Sequence, residues 1–234
     1  MSAADAASRR VWDLPVRVAH WLLVLGVAGA YVTHRLGVAW FRYHVWCGYL
    51  VVVVAAFRIV WGLLGTRHAR FRSFVRGPRA TLRYARELFV ASPPPTPGHN
   101  PLGAWMVLLL LATLLAQGLT GLFANDEIFN TGPLYSYVGD DLSLRLTSWH
   151  RKLFDGILAA IALHVLAVVA HRVLWRHEIV GPMFSGRKPA RLVAEHEAIT
   201  SSRLWLAVLV LAGLVTTIAW LVHTAPPLPV ASFE

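Results

Sequence analysis

A single cysteine, Cys47, stands in a chain of 234 residues. That count excludes an internal disulfide, a Cys-rich zinc or iron–sulfur site and the paired thiols of a C-x-x-C-H covalent haem motif. Any metal centre must therefore rest on other ligands. Charge is also scarce. Only 15% of the residues are charged, against roughly a quarter in soluble domains, which argues against an ordinary cytosolic enzyme. Acidic residues are the scarcer sign, 12 against 22 Lys and Arg. No fixed-period repeat, nucleotide fingerprint, flavin motif or acid/base pair in a recognisable context is present.

What fills the chain instead is apolar: 56% of residues are hydrophobic, and they gather in five blocks. Each is about long enough to cross the ~30 Å hydrocarbon layer. The runs are Val16–Leu36, His44–Leu64, Leu102–Phe123, His150–Leu174 and Leu204–Val222. None shows the period-2 alternation of a barrel strand, and a backbone in lipid must satisfy its own hydrogen bonds, so all five are predicted helices. The expected fold is an all-α polytopic membrane bundle. Asn100 and Pro101 are read as the N-cap and N1 residue of the third span, and Ser148 as the N-cap of the fourth. Ser92–Gly98, with Pro93, Pro94, Pro95 and Pro97, reads as a stiff approach to the third span.

Orientation follows from the basic residues of the short loops. The N-terminus through Arg17, the stretch 65–101 and the stretch 172–203 together hold sixteen of the 22 basic residues. On the opposite side, the loop Ala124–Trp149 sets Asp126, Glu127, Asp140 and Asp141 against Arg145 alone. The N-terminus is expected in the cytoplasm and the C-terminus outside, in a bacterial inner membrane. The first run has no small-residue cleavage site and reads as a retained anchor. The net charge of +10 sits on membrane-flanking loops, where anionic lipid and topology account for it, so no nucleic-acid partner is expected.

Eleven histidines carry the chemistry. His68, His99, His177, His196 and His223 fall in loops or past the last span, with ordinary explanations. His20, His44, His150 and His164 lie within or at the edge of apolar helices, where an ionisable group is costly and usually has a partner. His150 and His164 are 14 residues apart, nearly four turns and a rise of ~21 Å, so they share one helix face at two depths. The first span runs outward, placing His20 at the inner depth with His164. The second runs inward, placing His44 at the outer depth with His150. Two facing imidazoles at each of two depths are the axial ligands of two b-type haems, and filling both axial positions favours electron transfer. His34 also reaches the outer depth and is an alternative to His44, although a frayed interfacial position beside Arg35 is its ordinary reading. His171, beside Arg172, is read as interfacial.

In this order the sequence resembles the bacterial cytochrome b561 family and the b-type cytochrome subunits of nickel–iron hydrogenases. The resemblance rests on Pro15-Val16-Arg17 before Ala19-His20-Trp21, on Tyr43-His44 with Arg58-Ile59 and Trp61-Gly62, and on His150 followed by His164. Gly98-His99-Asn100-Pro101-Leu102-Gly103, Gly118 and Gly121, and Gly181-Pro182-Met183 with Gly186-Arg187-Lys188 continue it. It covers roughly residues 12–188 and implies four helices holding two haem b groups through the same four histidines. Residues 189–234 are a linker and an accessory fifth span.

Haem propionates need cationic donors. The candidates are Arg17 inside and Arg42, Arg151 and Lys152 outside, each equally explained by snorkelling. Arg58 lies deeper in its helix and calls for a specific anionic partner. Gly26, Gly29, Gly48, Gly118 and Gly121 can admit a helix or a macrocycle. Trp21, Trp46 and Trp149 can pack on haem or form an interfacial belt. The expected function is electron transfer in a respiratory chain, between the quinone pool and an extracytoplasmic redox protein docked on loop 124–149 or between two protein partners; the resemblance implies a c-type cytochrome or hydrogenase-like partner. No independent catalytic motif is evident. The alternatives are a non-haem membrane anchor or assembly subunit, and an oxidoreductase that reacts with quinone itself.

Overall fold

The computed structural model describes residues 7–90 and 95–227; Ser92, Pro93 and Pro94 of the proline-rich approach lie outside them. Among the described residues, five helices are long and apolar enough to cross a membrane. In chain order the helices are α1 (Leu14–Arg35), α2 (Phe41–Leu64), the short α3 (Phe71–Phe74), α4 (Pro78–Val90), α5 (Pro101–Leu122), α6 (Asp140–Val173), the short α7 (Val180–Ser185) and α8 (Leu204–His223). Leu25, Leu63, Leu166 and Val208 are well exposed, as lipid-facing positions on such helices are when no lipid is counted.

Three local differences from the sequence reading have physical causes. Helix α6 begins at Asp140, ten residues before the expected start, and Ser148 lies inside it and not at its N-cap. Asp140 and Asp141 occupy its first turn, where carboxylates favour the helix dipole. Ser143 Oγ donates to Phe123 O at 2.7 Å and Asn125 N to Thr147 Oγ1 at 2.9 Å, holding the early turns against the preceding loop. At 34 residues α6 is ~51 Å long, so hydropathy registers only the part that fits the bilayer. The basic stretch after α2 contains α3 and α4; α4 buries Tyr84 while Leu82 and the arginines Arg79, Arg83 and Arg86 lie exposed or partly so. Finally, Ser8–Arg10 pairs antiparallel with Arg187–Pro189, Arg9 opposite Lys188, as a two-stranded ribbon (β1 and β2).

Packing divides the chain into two compact units. The first comprises 1–20, 58–111 and 159–208 and is organised around a buried carboxylate. Asp13, 1% exposed, accepts from Val16 N at 2.7 Å, and so caps α1. Its other oxygen accepts from Trp61 Nε1 at 3.1 Å and Thr66 Oγ1 at 2.5 Å, tying the start of α1 to the end of α2 and the turn beyond. Gly186, at φ +76°, ends α7 in the left-handed region and donates to Pro182 O at 2.9 Å. Its carbonyl receives Val11 N and Trp12 N, seating the N-terminal segment. At the start of α5, Asn100 Oδ1 accepts from Gly103 N at 2.7 Å, the N-cap bond expected from Asn100-Pro101.

The second unit comprises 21–57, 112–158 and 209–234. Val52, Leu122 and Leu134 form its buried cluster, flanked by Tyr49, Leu115, Ile218 and Leu221. Tyr137 Oη lies 3.0 Å from Thr224 Oγ1, linking the loop to the end of α8. Asp126 accepts from the backbone N–H groups of Ile128, Phe129 and Asn130 and from Asn130 Nδ2. Burial opposes its ionisation, but these bonds hold its carboxyl well below the usual range.

The Asp13 knot generates a stability prediction. Asp13→Ala leaves the Trp61 and Thr66 donors buried without an acceptor, a loss of roughly 2–4 kcal/mol. Thermal unfolding of the detergent-solubilised protein should show a clear fall in Tm for Asp13→Ala and a smaller one for Asp13→Asn. An unchanged Tm for the alanine variant would refute the role.

Candidate functional site

The four membrane histidines fall two to a unit. In the first unit, His20 of α1 and His164 of α6 face each other with ring centroids 6.5 Å apart and planes inclined by 58°. In the second, His44 of α2 and His150 of α6 stand 6.3 Å apart at 84°. Local hydrogen bonds orient the second pair. His44 Nδ1 lies 2.9 Å from Ala30 O and His150 Nδ1 lies 2.8 Å from Gln117 O. A carbonyl can only accept, so each Nδ1 carries the proton and each Nε2 keeps its lone pair for a ligand.

The spacing fits a shared metal. Two imidazoles bound end-on to one ion at metal–nitrogen distances of about 2 Å place their centroids about 6 Å apart, as both pairs do. Among the described residues no group of three or more His, Cys, Asp or Glu converges as a metal site. Two opposed imidazoles are the axial donor set of a haem whose macrocycle supplies the remaining ligands. Gly121 provides the room: a Cβ there would lie 2.7 Å from His150 Cε1, so only glycine lets the ring lie against α5. Gly118 is equally tight, against Val52, whereas a Cβ at Gly48 would meet nothing within 4 Å.

Gln117 is a site residue that the sequence does not single out. Its Nε2 donates to His150 Nε2 at 3.2 Å, while its Oε1 is buried without a hydrogen-bond partner. A metal held at His150 Nε2 would require the amide to turn aside. His34 is exposed, with its ring 5.9 Å from that of His44. His44 accordingly has an imidazole neighbour on its own side of the chain as well as across from it. His171 is not interfacial in the sense of being exposed. It is buried, with Asn100 Nδ2 donating to its Nε2 at 3.3 Å and His177 Nδ1 at 3.4 Å from its Nδ1.

The cations assigned from sequence occupy varied settings. Arg17 donates through Nη1 to Phe184 O and lies against Gly186. Arg42 is exposed, over the rings of Tyr43 and Trp46 at 5.1 and 5.3 Å. Arg151 and Lys152 border a surface pocket with Asn125, Asp126 and Glu127, and Lys152 lies over Trp149 at 5.7 Å. Trp46 and Trp149 are largely exposed, the setting of an interfacial belt. Arg58 is 6% exposed and donates to Ala69 O at 3.1 Å.

His99 and His68, which look like ordinary loop residues, are packed inside the first unit. The His99 ring lies 4.7 Å from that of Trp12 and 4.4 Å from that of Phe74. Burial, reinforced by the charges of Arg58 and Lys188, pushes the His99 imidazole down to about 3. Burial also lowers the Lys188 ammonium to about 8 and lowers His68, whose Nε2 is 2.8 Å from Glu197 O. The only sequence signal was their position: His99 precedes the N-cap Asn100, so it is drawn in wherever α5 starts against the other helices.

The chain is 25% identical over 219 residues to a Rhizobium leguminosarum bv. viciae protein named "Probable Ni/Fe-hydrogenase B-type cytochrome subunit", covering 80% of this chain and 91% of that one. Proteins of the same name from Rhodobacter capsulatus and Bradyrhizobium diazoefficiens are 26% and 22% identical, over 76% and 81% of this chain and 80% and 92% of theirs. No solved structure matches significantly. The family model described as prokaryotic cytochrome b561 matches residues 11–186, which include all four membrane histidines. The chain, with its five apolar helices, belongs to the prokaryotic cytochrome b561 family, multi-pass membrane proteins that transfer electrons on haem b.

Proposed function

We propose that this chain carries electrons across the membrane on two haem b groups, one held by His20 and His164 and the other by His44 and His150. The observation that carries the reading is the pair of imidazole separations, 6.5 and 6.3 Å, each the span of two nitrogens on one ion. A haem held by two imidazoles would supply a reversible one-electron couple. The protein's part is to hold the four rings, fix the protonation of His44 and His150 through Ala30 O and Gln117 O, and exclude water. Arg17, Arg42 and Arg151 are the cations assigned to the haem carboxylates in this reading. Residues 12–188 form the electron-carrying domain, and 189–234 add a linker and the accessory helix α8.

The electron route runs between the quinone pool and an extracytoplasmic redox protein of the hydrogenase or c-type cytochrome class. Relatives named as hydrogenase cytochrome subunits support the first class. The N-terminus faces the cytoplasm, which places the acidic loop 124–149 outside as the docking surface. The distribution of arginine between the loops supports this orientation.

Two predictions follow from the histidine pairs. The purified wild-type protein should show two reducible low-spin b haems per chain in a spectroscopic redox titration, and His164→Ala should remove one while leaving the other. Retention of both in that variant, or a colourless wild-type protein from haem-replete cells, would be incompatible with the assignment. Gly121→Ala should push the His150 ring from its seat and cost most of the haem held with His44, whereas Gly213→Ala, where a Cβ meets nothing within 4 Å, should keep the wild-type haem-to-protein ratio. Equal haem content in the two glycine variants would remove Gly121 from the site.

A further inference from the structure

The first unit buries Arg58 with one buried carboxylate, Asp13, and partly buries two further cations, Lys188 and Arg17. Arg58, 6% exposed, has its Nη1 on a backbone carbonyl, Ala69 O, and its guanidinium 5.5 Å from the centre of the Phe71 ring. The carboxylate acting on it is that of Asp13, whose two oxygens are already engaged by Val16 N, Trp61 and Thr66. Lys188 is partly buried, and its Nζ donates to another carbonyl, Thr96 O, at 2.9 Å. Arg17 has a buried Nε without a hydrogen-bond partner. The ion pairs found among the described residues, Arg67–Glu197 and Arg172–Glu178, use none of these three.

One more group belongs to the cluster. His99 Nδ1 is buried without a hydrogen-bond partner, and its ring is clamped by Trp12 and Phe74. The charges that act on His99 are those of Arg58, Lys188, His68 and His164, which places the cluster beside one of the paired histidines. A buried cation needs a counter-charge or it would lose its proton or its burial. Two or three cations and one neutral imidazole donor match a ligand with two carboxylates.

We propose that Arg58, His99 and Lys188, together with Arg17, form a carboxylate-binding pocket that takes both propionates of the haem held by His20 and His164. This rests on the assignment of a haem to that pair. Lys188 and His99 are then positioning residues: they set the electrostatic potential at the haem and its seating, and do not touch the iron. A cation nearby disfavours the more positive oxidised iron, so its removal lowers the midpoint potential of that haem alone.

The test is a spectroelectrochemical titration of the haem-loaded, full-length protein in detergent, comparing wild type with Lys188→Met, Lys188→Arg and Arg58→Met. The His164→Ala protein, which retains only the His44–His150 haem, identifies which midpoint is which. Lys188→Met is expected to make reduction of the inner haem about tenfold less favourable, ~59 mV for one electron, with the other midpoint unmoved and Lys188→Arg restoring the wild-type value. Arg58→Met should act in the same direction; if it fails to fold, Lys188→Met alone decides. Unchanged midpoints in a fully loaded Lys188→Met protein overturn the pocket while leaving the haem assignment intact. A wild-type midpoint that shifts with inorganic phosphate, a shift lost in Lys188→Met, overturns it in favour of a soluble anion. Absence of a haem at His20 and His164 in wild type overturns the assignment and the pocket together.

Discussion

Hydrocarbon offers a polar group no water to fall back on, and every ionisable side chain placed among these helices has to find its partner within the protein. Asp13 shows how the structure meets that demand. A carboxylate with 1% exposure is tolerable because three donors converge on it, one from its own helix and two from the far end of α2 and its turn. The same three bonds set where α1 begins, and α1 carries His20 seven residues further on. The position of an imidazole at membrane depth thus depends on a capping interaction at the membrane edge.

The second unit meets the demand differently. His44 and His150 each spend one nitrogen on a backbone carbonyl, and those carbonyls belong to helices α1 and α5. The imidazole is thereby held in one tautomer and made a better donor at its other nitrogen. Gly121 completes the arrangement by letting the His150 ring come close enough to α5 to reach Gln117 O. Gln117 serves this ring twice, through its carbonyl and through its amide, and its buried Oε1 is the unsettled part of the arrangement.

Much of this was legible from residue order alone. Five apolar runs predicted five helices, and the helices are found, since the span length is a property of the bilayer and not of tertiary packing. The 14-residue interval between His150 and His164, with helix direction, was enough to name which rings could face each other. What was not legible depends on contacts distant in sequence. Helix α6 starts early because Ser143 and Thr147 find partners at Phe123 and Asn125, which hydropathy cannot register. The β1–β2 ribbon joins residues some 180 positions apart. His99 looked like a loop histidine, and its burial follows only from where Trp12 and Phe74 lie.

The basic excess that opened the sequence also divides once the packing is known. Most arginines of the flanking loops remain exposed or half-exposed, where they cost little and orient the chain in the membrane. Arg58 and Lys188 are different, because topology needs charge near the membrane but gives no reason to bury it. A buried charge at Arg58, set against the Phe71 ring, must be compensated by something of opposite sign. Asp13 is the carboxylate that acts on Arg58, and the same carboxylate holds α1 and α2 together. In the proposed reading, within a unit that brings His20 and His164 face to face, the anionic edge of a haem would share with Asp13 in answering that charge.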